Sequence, residues 1–306
     1  MEKVIVTGAT GFIGNYLIET LVSMGIHVYA LVRGQSREKL RIQNNKYLHI
    51  VEYNADKVEE LKEKLPAQIY DCCINLAWGG VAGNARADYK LQLNNIERTA
   101  DLLCLMGEIG CKKFIGASSI SEYECELYMP QDGIEAGGRF IYSIAKLTSN
   151  YINKCLSQSH NISYINANIA NTYGEFGLDG LILHDTILKL LRNEETSFTE
   201  ATQIYDFLYV KDIVNGLIKL AEKGHASYSY YIGSGNPRPL KEYLYIIRDY
   251  ICPGKDIGVG KRKMDSGGLP ASAFDVSKIK KHTGYIPEFS FEGSIKQVIE
   301  WYRKQI

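Results

Sequence analysis

The chain has 306 residues, 45% of them hydrophobic and 23% charged, which is the balance of a folded globular protein long enough to bury a core without disulfide or metal staples. Lys plus Arg and Asp plus Glu number 35 each, so the formal charge is zero. That excludes a broad basic face and with it general nucleic-acid binding, but it leaves room for a local phosphate site.

The seven cysteines form no CxxC pair and the six histidines no HExxH spacing, so reduced thiols, no metal and a cytoplasmic location are expected. The N-terminal stretch lacks the pattern of a signal peptide, and no apolar run reaches the length of a membrane span, so no membrane partner is expected. In chain order, residues 3–7 read as a buried strand. Residues 12–24 follow with apolar positions at Phe12, Ile13, Tyr16, Leu17, Leu21 and Met24, which is helical spacing, and Gly25 is a natural stop. Further strands are expected at 27–32, 47–51, 69–76 and 113–116. Helices are expected at 56–65, ended by Pro66, and at 89–106. A helix over 140–156 and a strand over 162–169 complete the run. Strand–helix alternation with near-continuous apolar strands predicts an α/β fold, a doubly wound parallel sheet of the Rossmann type. This dinucleotide-binding part is expected over 1–171, with 203–233 returning to the sheet. A smaller, interleaved substrate lobe is expected within 172–306, mainly 172–202 and 234–306.

Thr7-Gly8-Ala9-Thr10-Gly11-Phe12-Ile13-Gly14 lies between the first strand and the first helix. Gly8 permits a tight turn, Gly11 lets a phosphate approach the backbone, and Gly14 lets the helix pack close to the sheet. The free N–H groups from Thr10 to Ile13 and the positive helix end then face a pyrophosphate. An NAD site wants a carboxylate about 20 residues past the glycines, to accept from the ribose 2′-hydroxyl. Here the second strand ends Leu31-Val32-Arg33-Gly34. Arg33 offers a charged planar fork to a 2′-phosphate, with Arg37 nearby, so NADP(H) is favoured and NAD(H) is the alternative. Asn54, after the third strand, is a candidate adenine contact. Tyr142 and Lys146 are four apart and share one helical face. An ammonium and an oxidised nicotinamide favour phenolate, lowering such a Tyr from about 10 toward neutrality. The Tyr then exchanges a proton with a substrate oxygen as hydride moves to or from the carbon beneath it.

The spacing Gly8–Gly11–Gly14 and the Tyr142–Lys146 pair resemble the extended, nucleotide-sugar-modifying branch of the short-chain dehydrogenase/reductase superfamily, the NAD-dependent epimerase/dehydratase group. Ala117-Ser118-Ser119-Ile120-Ser121-Glu122-Tyr123 is similar to its serine-bearing strand end. Counting back four from Tyr123 selects Ser119 as the residue that holds the reacting oxygen, with Ser118 and Ser121 as competitors. Leu76 and Ala77, in Ile74-Asn75-Leu76-Ala77-Trp78, resemble the strand end over the cofactor. Asn95 and Thr99 match its N-x-x-x-T helix, whose Asn supports the site. Asn171-Thr172-Tyr173-Gly174 resembles N-x-Y-G, whose Asn reaches the substrate. Asp206–Asp212 and Asp275–Lys278 resemble two further motifs of the branch.

The resemblance implies an enzyme. The branch's 4,6-dehydratases carry Thr-Asp-Glu where this chain has Ser119-Ile120-Ser121, so dehydration is rejected. A 4-reductase takes a 4-keto-6-deoxy sugar nucleotide and fresh NADPH; a 4-epimerase returns hydride from tightly held NAD. Arg33 favours the reductase. Trp78 is expected to shape the sugar pocket. The Arg that often precedes the D-F segment is Tyr205 here, and the second pyrophosphate clamp falls on Asp265 or Ser266, so Arg262, beside Lys261 and Lys263, is the candidate replacement. A smaller carbonyl substrate, as in flavonoid-type reductases, and a non-catalytic NADP(H)-binding scaffold are the contrasting readings. Relatives in this branch pair through two helices per subunit, so a homodimer through 95–106 and 142–156 is expected.

Overall fold

The computed structural model describes residues 1–132, 137–263 and 268–306. Asp265 and Ser266, weighed above as a phosphate clamp, lie outside the described residues. The first run of elements is β1 (Lys3–Thr7), α1 (Phe12–Ser23), β2 (His27–Val32), β3 (Leu48–Glu52), α2 (Leu61–Lys64), β4 (Cys72–Asn75), α3 (Tyr89–Glu108), β5 (Lys113–Ser119), α4 (Glu122–Tyr128), α5 (Arg139–Ser159) and β6 (Ser163–Ile169). After it come β7 (Asn171–Tyr173), α6 (Ile182–Leu191), β8 (Ile204–Tyr205), β9 (Phe207–Tyr209), α7 (Val210–Lys223), β10 (Ser229–Ile232), β11 (Arg238–Pro239), α8 (Leu240–Ile251), α9 (Ser277–Thr283) and α10 (Phe291–Arg303). The chain divides into two compact units. One comprises Met1–Ile169, Val214–Ile232 and Ser277–Tyr285; the other comprises Ala170–Ile213, Gly233–Val276 and Ile286–Ile306.

The first unit holds a seven-stranded sheet in the order β10-β6-β5-β4-β1-β2-β3. Every neighbouring pair is parallel. The fold is therefore the doubly wound α/β sheet read from the sequence. Val4, Ile5 and Val6 in β1 and Cys72, Cys73 and Ile74 in β4 are all fully buried, as strands covered on both faces require. Burying each such aliphatic side chain stabilises the fold by about 1.5–3 kcal/mol, and Ile5→Ala would cost about 2–5 kcal/mol. Strand order reverses between β1 and β4, and such a switch point opens a crevice at the carboxyl ends of the strands. Asp88 caps α3, its carboxylate accepting from the N–H groups of Lys90 (3.1 Å) and Leu91 (3.2 Å).

In the second unit β7 pairs parallel with β9 and β8 pairs antiparallel with β11. An aromatic core replaces a broad sheet: Phe291 lies 5.1 Å from Tyr173 and 4.7 Å from Tyr243, ring centre to ring centre. The buried Asp212 carboxylate accepts from the N–H groups of Glu288 (2.8 Å) and Phe289 (3.1 Å).

Three expectations differ from what the chain does. The helix expected over 56–65 is a 3-10 turn at Val58–Glu60 followed by one turn of α2. Only Leu61 and Leu65 bury there, which is too short an apolar stripe to carry a longer helix. The return to the sheet over 203–233 begins later, because β8 and β9 go into the two small sheets and only Val214–Ile232 joins the first unit. The segment Ser277–Tyr285, expected in the smaller lobe, belongs to the first unit. Its Ile279 and Tyr285 are buried, and a Cβ on Gly216 of α7 would come within 3.3 Å of the Tyr285 ring. Among the described residues no helix is long and apolar enough to cross a membrane.

Candidate active site

The turn after β1 is shaped by what it lacks. Gly8 has φ +63°, and a Cβ there would lie 2.7 Å from the Leu76 carbonyl carbon and 2.8 Å from the Ala77 nitrogen. A Cβ on Gly14 would lie 2.1 Å from the Gly8 oxygen, so α1 packs onto the turn only with glycine there. The Gly11 N–H donates to the Gly8 carbonyl at 2.9 Å and closes the turn. Gly11 is the N-cap of α1 and offers no side chain to cover the opening N–H groups of Phe12, Ile13 and Gly14, and the first turn carries no acid. This is the arrangement of an anion site at a helix N-terminus. The Thr7 hydroxyl donates to Asn75 Oδ1 and accepts from the Ala77 N–H (3.2 Å), fastening the ends of β1 and β4 together beneath the turn.

A cavity of about 410 Å³ opens there, lined among others by Gly8, Thr10, Gly11, Arg33, Asn54, Leu76, Ala77, Trp78 and Asn95. Its size suits a small-molecule site. Arg33 is exposed at the far end, while Arg37, in the 3-10 turn that follows, is absent from the lining. Asn54 Oδ1 accepts from the Asp56 N–H at 3.0 Å, an Asx turn that shapes the wall. Asp56 pairs with Arg98 of α3 at 2.6 Å on the same wall. The uncapped helix end, the glycine cradle and the elongated lining fit a nicotinamide dinucleotide. Phe12, Ile13 and Gly14 supply the opening turn of α1 and are not themselves in the lining.

Tyr142 and Lys146 stand one turn apart on α5, both buried. Of the three serines at the end of β5, Ser119 is the one close enough to Tyr142 to act on its phenol. Ser118 points to the other face and donates to Glu122 Oε1, while the Ser121 hydroxyl donates to Ser119 Oγ at 2.9 Å. Lys146 Nζ donates to the Ala117 carbonyl at 2.8 Å and lies 3.8 Å above the Trp78 ring. It is 5.9 Å from the centre of the Tyr142 ring. Trp78 meets Tyr142 edge to face with centroids 6.5 Å apart.

The expected shift of Tyr142 toward neutrality belongs to Lys146 acting together with an oxidised nicotinamide; within the protein itself, burial acts in the other direction. Burial pushes the Tyr142 phenol above its ordinary value, against the pull of the Arg86 guanidinium and the Ser119 hydroxyl. Burial also lowers Lys146 to about 7, with Glu122 opposing.

Three residues not singled out in the sequence complete this corner. Gln92 is buried in the first turns of α3. Its amide donates to the carbonyls of Gly80 (3.1 Å), Ala85 (3.2 Å) and Gly79 (3.4 Å), and its oxygen accepts from Trp78 Nε1 (2.7 Å). Asn95 adds bonds to both the N–H (3.0 Å) and the carbonyl (2.9 Å) of Gly79. Arg86, on the loop thus held, stacks its guanidinium 4.4 Å over the Tyr142 ring. Glu122 is buried, accepting from Ser118 and from the amides of Asn150 (3.1 Å) and Asn166 (3.1 Å); burial raises its pKa against those bonds and against Lys146. A polar residue in a helix's first turns is the one hint Gln92 leaves in the sequence. Asn171 and Arg262 lie in the second unit: the Asn171 N–H donates to the Asp206 carbonyl (3.1 Å), and the exposed Arg262 donates its N–H to Phe198 (2.9 Å). No group of three or more His, Cys, Asp or Glu able to hold a metal occurs among the described residues.

Comparison with known proteins agrees with this geometry. CDP-abequose synthase of Salmonella muenchen is 26% identical over 301 residues, covering 97% of each chain. UDP-glucuronic acid decarboxylase 1 of Arabidopsis thaliana is 22% identical over 316 residues, covering 99% of this chain and 70% of its own length. Among solved structures, the UDP-glucose 4-epimerase of Thermotoga maritima with UDP-glucose matches with a TM-score of 0.79 at 20% identity, over 99% of both chains. The Bordetella bronchiseptica enzyme WbmF in complex with NADH matches with a TM-score of 0.81 at 19% identity, over 99% of this chain and 92% of its own. At those identities the two structures share the fold. The model of the NAD dependent epimerase/dehydratase family matches residues 4–233, from within β1 to just past β10, and the chain is an enzyme belonging to that family.

Proposed function

We propose that this enzyme is an NADP(H)-dependent reductase of nucleotide sugars, reducing the 4-keto group of a nucleoside-diphosphate 4-keto-6-deoxyhexose. The observation that carries the reading is the Ser119–Tyr142–Lys146 corner, with Tyr142 and Lys146 buried and packed against Trp78 of the cavity wall, together with Arg33 at the end of β2, where an NAD site wants a carboxylate. The CDP-abequose synthases among its relatives support a sugar-nucleotide substrate. Gly8, Thr10, Gly11 and the opening of α1 hold the cofactor's pyrophosphate, Asn54 meets the adenine, and Arg33 takes the 2′-phosphate. Bound NADPH supplies the hydride. Tyr142 gives its phenolic proton to the substrate oxygen, and Ser119 hydrogen-bonds that oxygen and orients it. A phenol kept protonated by burial suits an acid that must donate at neutral pH. Trp78 walls the sugar side. Glu122 is already occupied by Ser118, Asn150 and Asn166, so it is no free base for removing water.

We also read the enzyme as a cytoplasmic homodimer. Its cysteines are all free thiols. Tyr89 and Leu93 on α3, and Ile144, Tyr151 and Ile152 on α5, expose apolar surface that a second copy would cover. Light scattering of the wild type and of Leu93→Glu/Tyr151→Glu tests this: a dimer that becomes monomeric is expected, and a wild-type monomer refutes it.

The decisive experiment for activity incubates the purified enzyme with NADPH and CDP-, dTDP- and UDP-linked 4-keto-6-deoxyhexoses. NADPH oxidation with a deoxyhexose product two mass units heavier than its substrate is expected. A tightly held NAD that never exchanges, with interconversion of 4-hydroxy sugars and no net NADPH use, would replace reduction with 4-epimerisation.

A further inference from the structure

The YxxxK lysine is Lys146, one turn along α5 from the phenol. Its ammonium is bonded to the Ala117 carbonyl and set over Trp78, 5.9 Å from the Tyr142 ring centre. A different cation is nearer. Arg86 stacks 4.4 Å over that ring. Its place is fixed: the adjoining Ala85 carbonyl accepts from Gln92, which also holds Gly80 and the Trp78 indole. No ion pair among the described residues uses Arg86, and its Nε is buried without a hydrogen-bond partner among them. A guanidinium stays charged at any working pH, whereas a buried amine does not.

We propose that Arg86 is a positioning residue that adds a second, permanent positive charge beside Lys146 at the Tyr142 phenol, with the loop clipped by Gln92 as its mount. The other groups around the phenol are Lys146 on α5, Glu122 on α4 and Ser119 on β5. Glu122 works against ionisation, and Arg86 is the leading opponent of burial at Tyr142. Arg86 therefore sets how readily the phenol parts with its proton. The catalytic consequence rests on Tyr142 being the acid of the proposed reduction; the electrostatic claim does not.

The test reads Tyr142 directly. The protein with ζ-13C-labelled tyrosine is titrated by NMR, and the Tyr142 signal is identified among the 22 tyrosines by its loss in Tyr142→Phe. In Arg86→Gln the Tyr142 titration is expected to move upward by about one pH unit, as loss of one nearby charge implies. Arg86→Lys is expected to stay within a few tenths of a unit of wild type. Cofactor affinity, followed by NADPH fluorescence, serves as the folding control. If the Gln variant does not fold, Arg86→Met keeps stem packing over the ring and carries the same expectation. A Tyr142 titration unchanged in the charge-free variant overturns the proposal, whatever the substrate proves to be. If the enzyme reduces a 4-keto sugar, the basic limb of its kcat/KM profile moves with the NMR titration.

Discussion

The glycine turn and the Tyr142 corner, the two ends of the proposed site, are built on opposite principles. The glycine turn works by absence: Gly8 and Gly14 each stand where a single carbon would strike backbone at 2.7 Å or less. The Tyr142 corner works by crowding, with Trp78, Arg86, Lys146 and Ser119 all within reach of one phenol. A site made of backbone is rigid and insensitive to pH. A site made of packed ionisable groups is tunable, and each neighbour changes the others' proton affinity.

Substitutions at the two ends should fail in different ways. The largest effect belongs to Tyr142→Phe. Turnover in the NADPH-dependent assay should fall by about two to four orders of magnitude while NADPH affinity stays within a few-fold, because only acid–base work is lost. Equal losses in both would erase the division between the ends. Gly14→Ala should do the reverse. Its methyl group would meet the Gly8 oxygen at 2.1 Å, so the turn must open. A fall in NADPH affinity of at least about tenfold is expected by fluorescence titration, with a destabilisation of about 2–4 kcal/mol in urea. Arg33→Ser is narrower still. Preference for NADPH over NADH should drop by roughly ten- to a hundredfold, as the loss of a charge-assisted contact implies, and a ratio that does not move would assign the enzyme to NAD.

The smallest effect lies away from both ends. Asp71 accepts from the N–H groups of Glu2 (2.6 Å) and Lys3 (3.2 Å) and from Lys112 Nζ (2.9 Å), pinning the start of β1. Burial acts to raise its pKa, but those donors outweigh it and hold the carboxyl at about 2. A carboxyl depressed in the folded state stabilises above its unfolded value and loses that contribution as pH falls through the folded one. Wild-type urea midpoints should therefore decline between about pH 4 and 2. Asp71→Asn should lack that part of the decline and be weaker by about 1 kcal/mol at pH 7, with both ends of the proposed site untouched.

The same contrast explains what was legible in the sequence. A glycine turn is local: the three glycines, the strand before them and the helix after them are contiguous, so their spacing already states the backbone path. The doubly wound sheet was legible for a similar reason, since strands such as Val4-Ile5-Val6 declare burial on both faces. Tyr142 and Lys146 were visible as a helical pair, but what surrounds them was not. Arg86 reaches the phenol from a loop 56 positions earlier, and Gln92 acts through carbonyls, which have no letter in the sequence. The burial that raises Tyr142 in the protein itself has no local mark in the sequence, because desolvation is a property of the whole enclosure. The return to the sheet was placed too early because β9 offers Phe207-Leu208-Tyr209, apolar enough for the main sheet, yet pairs with β7 instead.

One side chain on α3 separates the course of a loop from its own letters. Gln92 grips the loop by peptide oxygens and by the indole N–H, and ignores every other side chain the loop carries. Val81, Ala82 and Asn84 give Gln92 no side-chain hydrogen bond. The hold that keeps Arg86 over the Tyr142 ring thus sits on α3 and on peptide oxygens, not on the letters between Gly80 and Ala85.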